Sequence, residues 1–224
     1  DTPALLKDVG TQIKDIHIRR TEGVSSNLSM KKAWEMMKIL NVVTLPVVNK
    51  RDKLEGLIVT SDIAKSYMDV YDNCILSTAK TSYKNILETL DAKMIVGSED
   101  GFFESGEVVI ATANPDVLED YIHPGDMVIL GNRYETQLCA IEMGAACVVI
   151  SMGAKVSKTI QHFAKEHNCI VINTPYDSFT VARLINQSVP VKRFMTKAPL
   201  ISFHMSDYVE DIKAVSYTHL RAHE

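Results

Sequence analysis

Apolar positions along this chain switch repeatedly between helical and strand spacing, and the switches divide it into three stretches. In the first, SMKKAWEMMKIL (29–40) places Met30, Ala33, Trp34, Met37 and Leu40 on one stripe. That spacing predicts an amphipathic helix with the stripe packed in a core and Ser29 as its cap. VVTLPVVN (42–49) then reads as a β-branched strand in which Pro46 marks an edge position or a break in the ladder. RDK supplies a turn, EGLIVT a second strand and SDIAKSYMDVYD a second helix. Ahead of these, DTPALLKDVGTQIKDIHI has Leu5, Val9 and Ile13 at helical spacing, with Pro3 near the start where proline is tolerated.

A different alternation begins near Asn73. TSYKNILETL predicts a helix, KMIVG a short strand and SEDGFFESGE a loop. The short apolar strands EVVIAT, DMVILG, CVVIS and CIVINT follow, separated by the helical stretches ANPDVLEDYI, NRYETQLCAIEMG and VSKTIQHFAKEHN, with YDSFTVARLINQS after the last. Asn114 and Pro115 are suited to open one of these helices, and Gly144 to close another. Strands buried on both faces and alternating with helices imply parallel pairing and an α/β fold. From Val189 the pattern changes again: VKRFMTKAPLISFHMSDYVEDIKAV repeats the order of IKDIHIRRTEGVSSNLSMKKAWEMM, an apolar-Lys start, a loop, a serine and an amphipathic helix. The helix of the second copy is expected to start near Ser206, and residues 216–224, SYTHLRAHE, are expected to be a non-native tail.

The 224 residues are 46% hydrophobic and carry a formal net charge of −4. A real core is therefore available, and the charge argues against nucleic-acid or membrane-surface binding. No apolar run approaches ~20 residues, and no basic-apolar leader opens the chain. The four cysteines, Cys74, Cys139, Cys147 and Cys169, form no C-x-x-C pair. A reducing, cytoplasmic setting without disulfides or zinc is expected. The acidic loop residues Asp91, Glu99, Asp100, Glu104 and Glu107 read as solvated, and His162 and His167, five apart, as surface residues. His219 and His223 have metal-ligand spacing but fall in the expected tail. No P-loop, dinucleotide-binding glycine pattern or G-x-S-x-G elbow occurs.

The candidate chemistry lies in GLIVTSDI (56–63), where an apolar strand ends in Thr60, Ser61 and Asp62 just as a helix begins. Those side chains suit either a helix cap or a ligand held at a helix N-terminus. Arg20, in the loop before the first module helix, suits a phosphate partner, because a guanidinium fork matches phosphate oxygens.

LPVVNKRDKLEGLIVTSDIA resembles a cystathionine-β-synthase-type (CBS) module, and GNRYETQLCAIEMGAACVVIS with NTPYDSFTVARLINQSVPV resembles a DRTGG domain. Asn132-Arg133-Tyr134-Glu135 stands where that domain's naming motif would fall. The order CBS, DRTGG, CBS, from Thr2 to Val215, is similar to the regulatory insert of CBS-containing, manganese-dependent inorganic pyrophosphatases. The resemblance implies a linker helix over 1–15, a CBS module over 16–72, a DRTGG domain over 73–187 and the start of a second CBS module over 188–215. It implies an α/β fold, a homodimer, and regulation by AMP, ADP, ATP or a diadenosine polyphosphate. By the same resemblance Asp62 would hold the ribose hydroxyls and Leu45, Pro46 and Val47 would line the adenine. Thr60 and Ser61 would reach phosphate, with Val59 standing where the family has Thr or Ser. Met195, Thr196 and Lys197 would contribute from the second module. The family's Asp-His-His motif is absent, so this chain is expected to hydrolyse nothing, and manganese would belong to a catalytic domain elsewhere. A free-standing nucleotide sensor, a dimerisation module without ligand, and the sensor half of a transcriptional regulator are the other classes considered; the last lacks a helix-turn-helix and a basic face.

Overall fold

The computed structural model describes residues 10–16, 18, 20–68, 72–111, 115–197 and 199–221. The first module is built as its pattern predicts. Helix α1 (Met30–Leu40) is capped by Ser29, whose hydroxyl accepts the Lys32 N–H at 3.2 Å. Met30, Ala33 and Met37 are buried, but Trp34 is 37% exposed, with Lys38 Nζ 5.7 Å from its ring centre. Strands β1 (Val24–Ser25), β2 (Thr44–Val48) and β3 (Leu54–Val59) form a sheet in the order β1-β2-β3. Helix α2 (Thr60–Met68) follows β3 without a loop.

Pro46 sits inside β2 rather than at a break. The Thr60 N–H bonds to the Val43 carbonyl, and with Thr44 opposite Val59 and Pro46 opposite Leu57, this register leaves Pro46 at a position that exchanges no hydrogen bonds with β3. Its missing N–H faces β1, which pairs only with Val47 and Val48.

The second unit opens with α3 (Ile75–Thr78), β4 (Thr81–Ser82), α4 (Tyr83–Thr89) and β5 (Lys93–Val96). Next come β6 (Phe102–Phe103), β7 (Val108–Ile110), α5 (Pro115–Leu118), β8 (Met127–Leu130) and α6 (Tyr134–Glu142). It closes with β9 (Cys147–Ile150), α7 (Lys158–Glu166), β10 (Ile170–Asn173) and α8 (Ser178–Leu184). The sheet order is β5-β10-β9-β8-β7; β7 to β10 are parallel and β5 is antiparallel to β10. Residues on α5, α6 and α7 pack one face, around Val128, Val148 and Val171. Residues on α3, α4 and α8 pack the other, around Met127, Val149 and Ile172. The stretch expected to be a plain loop contains β6, which pairs with β4 and buries Phe103. A two-residue strand is too short to show in a pattern of alternation.

The chain leaves the second unit through the 3₁₀ turns Ile185–Ser188 and Val191–Arg193 and returns to the first module as β11 (Thr196–Lys197), antiparallel to β3. The last helix, α9 (Val209–Arg221), starts three residues later than expected and runs on into the expected tail. Asp207 accepts the His204 N–H and Asp211 the Tyr208 N–H, which fixes that start. The expected opening helix lies outside the described residues over 1–9. Over 10–15 it is replaced by a turn at Gly10 (φ 90°) and a 3₁₀ turn, Ile13–Asp15. The reason is competition for hydrogen bonds: Ile13 and Lys14 donate to the carbonyls of Asp207 and Met205, and Gln12 bridges Tyr208. Asn114 also lies outside the described residues.

The two units are joined by polar contacts, one of them buried. The buried Asn85 amide donates to the Asn27 carbonyl at 2.9 Å and the Ser188 carbonyl at 3.1 Å. Leaving the buried Ser188 carbonyl unpartnered costs about 1–3 kcal/mol. Asn85→Ala is therefore expected to lower unfolding free energy by about 1–3 kcal/mol in urea titration; an unchanged midpoint would show that the joint carries no such stability.

Candidate functional site

β1 runs parallel to β2, so residues 20–22, just before β1, lie toward the end of the sheet where β2 begins and β3 ends. Helix α2 begins at that same end. The residue before it, Val59, carries no acceptor, so the helix receives no side-chain cap from that position. Asp62 works from inside the first turn instead: its Oδ2 accepts the Val59 N–H at 3.1 Å. The carboxylate is almost fully buried, and the Lys65 ammonium stands 4.0 Å from its other oxygen. Thr60 is half-buried and Ser61 exposed. The turn thus presents backbone N–H groups, two hydroxyls and one carboxylate oxygen not engaged by Val59, an arrangement suited to hydroxyl and phosphate groups.

Alternation along the strands sorts the remaining candidates. Leu45 and Val47 are fully buried, packed with Met30, Met37 and Ile58. Odd-numbered positions of β2 turn their side chains to the module core, so a part for Leu45 and Val47 in an adenine slot would fall to their main-chain groups. Pro46 faces the other way and is half-exposed. It pairs with Leu57, and Leu57 with Thr196, so Pro46, Leu57 and Thr196 form one row across the outer face of the sheet, with Thr44 and Val59 beside it. Leu57 and Val59 share that outer face, as the alternation in LEGLIV, with Gly56 and Ile58 turned inward, indicates.

Met195 packs on the module core, and Thr196 and Lys197 are exposed on β11. Arg20 lines a different recess, a cavity of about 410 Å³ with Thr21, Glu22, Met36, Ile39 and Leu40. None of Thr60, Ser61 and Asp62 lines that cavity, so the structure does not bring Arg20 into one pocket with the turn. Tyr134 and Glu135 open α6, with Arg133 at its N-cap position. His162 is exposed beside Glu166 at 3.3 Å. Among the described residues no group of three or more His, Cys, Asp or Glu is placed to hold a metal ion, and no helix is long and apolar enough to cross a membrane.

The architecture is a CBS module followed by an α/β domain whose exit segment returns to the module's sheet as β11. The DRTGG domain family matches residues 85–188. The crystal structure of the CBS and DRTGG domains of the regulatory region of Clostridium perfringens pyrophosphatase, complexed with its activator diadenosine tetraphosphate, is similar at TM-score 0.85 and 37% identity. That likeness covers 92% of this chain and 89% of the other. The cobalt-dependent inorganic pyrophosphatase of Clostridium perfringens is 37% identical over 95% of this chain, and the probable manganese-dependent inorganic pyrophosphatase of Thermotoga maritima 27% identical over 96%. This chain belongs to the family of CBS–DRTGG regulatory regions of inorganic pyrophosphatases. It spans 39% of the length of each of those two relatives.

Gly56 is the position on which the β11 edge depends. A Cβ there would stand 2.6 Å from the Thr196 carbonyl oxygen and 3.0 Å from Met195 Sδ. Gly56→Ala is expected to push β11 off β3 and speed tryptic cleavage after Lys197. Cleavage at the wild-type rate would show that the edge accommodates the methyl group.

Proposed function

We propose that this chain is the nucleotide-sensing region of a metal-dependent pyrophosphatase, and that it binds an adenosine nucleotide, with a diadenosine polyphosphate as the preferred ligand. The observation that carries this reading is the uncapped start of α2, with Asp62 beside it, in a chain similar over nearly its whole length to a regulatory region solved with diadenosine tetraphosphate. In this reading Asp62 accepts ribose hydroxyls, Thr60, Ser61 and the first N–H groups of α2 hold phosphate, and Pro46 and Leu57 floor the adenine. Thr196 borders the same face, with Met195 and Lys197 flanking it along the chain. Arg20 approaches from the β1 side, where it pairs with a phosphate only if the ligand extends past the turn, as a dinucleotide does. AMP, ADP and ATP would occupy one half of such a site.

The half-exposed outer face of the sheet suits a covering second CBS module and a partner subunit, so the working unit is a homodimer. We take the CBS module as 16–72, the DRTGG domain as 73–187 and the second CBS module as starting at 188. The metal, manganese in one relative's name and cobalt in the other's, belongs to a catalytic domain outside this chain. Free cysteines, three of them buried, fit a cytoplasmic protein. A nucleotide controls such an enzyme only by binding one arrangement of the modules more tightly than another.

A second reading, a dimerisation module without ligand, draws on the Asp62 carboxylate already serving the Val59 N–H. Thermal unfolding separates the two. Diadenosine tetraphosphate at a hundredfold excess over its Kd stabilises the folded state by about 2.7 kcal/mol, which raises Tm by several degrees. Asp62→Ala is expected to lower the stability of the ligand-free protein by about 0.5–2 kcal/mol, through loss of its bond to the Val59 N–H, and to abolish the ligand-induced rise in Tm. No rise in the wild-type protein at millimolar ligand would favour the dimerisation module.

A further inference from the structure

We propose that the cleft between α2 and α8 is a second ligand site, separate from the turn at Thr60–Asp62, for a molecule with a flat apolar body and an anionic group. The cleft is a cavity of about 540 Å³ at the junction of the two domains. Clefts of this size between domains are where small molecules are most often held. Its walls suit an aromatic body: Tyr67 comes from α2, Phe179 from α8 and Ile110 from the end of β7, and all three are about half or more exposed, Phe179 reaching 70%.

The polar groups of the cleft share one character. Arg183 lies over the Phe179 ring at 5.7 Å and has no carboxylate partner among the described residues. Asn186 and Gln187 are half-buried, and their side-chain amides have no hydrogen-bond partner among the described residues. No Asp or Glu is among the described residues that line the cavity. A guanidinium with two free amides is a donor-rich set that matches phosphate, sulfonate or carboxylate oxygens. An Arg stacked on an aromatic ring leaves its edge N–H groups free for such an anion while the ring offers a face to a flat ligand.

The placement also has a consequence for regulation. α2 begins at the candidate nucleotide turn and carries Tyr67 seven residues later, about 10 Å along the same helix. A ligand joining Tyr67 to α8 would hold α2 against the DRTGG domain. Any effect it has on nucleotide affinity at the turn must be returned equally by the nucleotide.

The probe that tests this is 8-anilinonaphthalene-1-sulfonate, a flat aromatic anion whose fluorescence rises on binding, added to the full 224-residue chain. Saturable binding with a stoichiometry of one is expected, weakened roughly tenfold by Arg183→Ala through loss of a charge-assisted contact. Phe179→Ala, at a side chain exposed enough to leave the fold intact, is expected to weaken it as well. Excess AMP should leave the probe bound. Absence of saturable binding, unchanged affinity in both variants, or competitive displacement by AMP would each overturn the proposal. Failure of AMP to bind at all would bear on the CBS reading and not on this site.

Discussion

The joint between the two domains is built around the hydrogen bonds that residues 188–197 make. Leaving the DRTGG domain, the segment does not run free to a second module. The Val189 carbonyl accepts the Met30 N–H, Val191 donates to the Leu28 carbonyl and Lys192 to that of Ser26, all within 2.8–3.1 Å. Pro190 bridges Ser29, and β11 then completes an edge of the CBS sheet. Buried backbone groups need partners. Here the CBS module supplies them to the exit of the other domain, and Asn85 fastens the same place from the DRTGG side.

This arrangement gives the candidate nucleotide site two mechanical neighbours. The strand that ends in Val59 has β11 along its edge, so the exit segment touches the floor of the site. The helix that starts at Thr60 carries at its other end the cleft shared with α8. A change of position at the turn is expected to reach the DRTGG domain through this packed backbone. At the far end of the chain, residues 11–14 pair with residues 205–209, so the segment that precedes the first CBS module is tied to the start of α9. Both devices link parts of the chain that are distant in sequence, which is what a regulatory region must do.

Much of this was legible in the residues. The period-2 and period-3.6 patterns gave the element order, Ser29 announced α1, and the short apolar strands announced a parallel sheet. The resemblance to CBS and DRTGG domains supplied the family. What escaped was long-range. Nothing local in TQIKD says that its hydrogen bonds go to residues 205–209 and not into a helix. Nor does YKNILETL say that Asn85 bridges two carbonyls 58 and 103 residues away. Trp34 was assigned to a core that ends before reaching it. Strand alternation alone turns the side chains of Leu45 and Val47 inward and leaves their main-chain groups for the part the family pattern gives them. The cleft beside Arg183 had no signal in sequence, because its walls come from four separate elements.

The most direct test is amide hydrogen exchange across the chain with and without diadenosine tetraphosphate. If the exit segment couples the nucleotide turn to the DRTGG domain, ligand should slow exchange at residues 59–63 and, together with them, at residues 188–197. Slowing confined to residues 59–63, or slowing nowhere, would contradict the coupling.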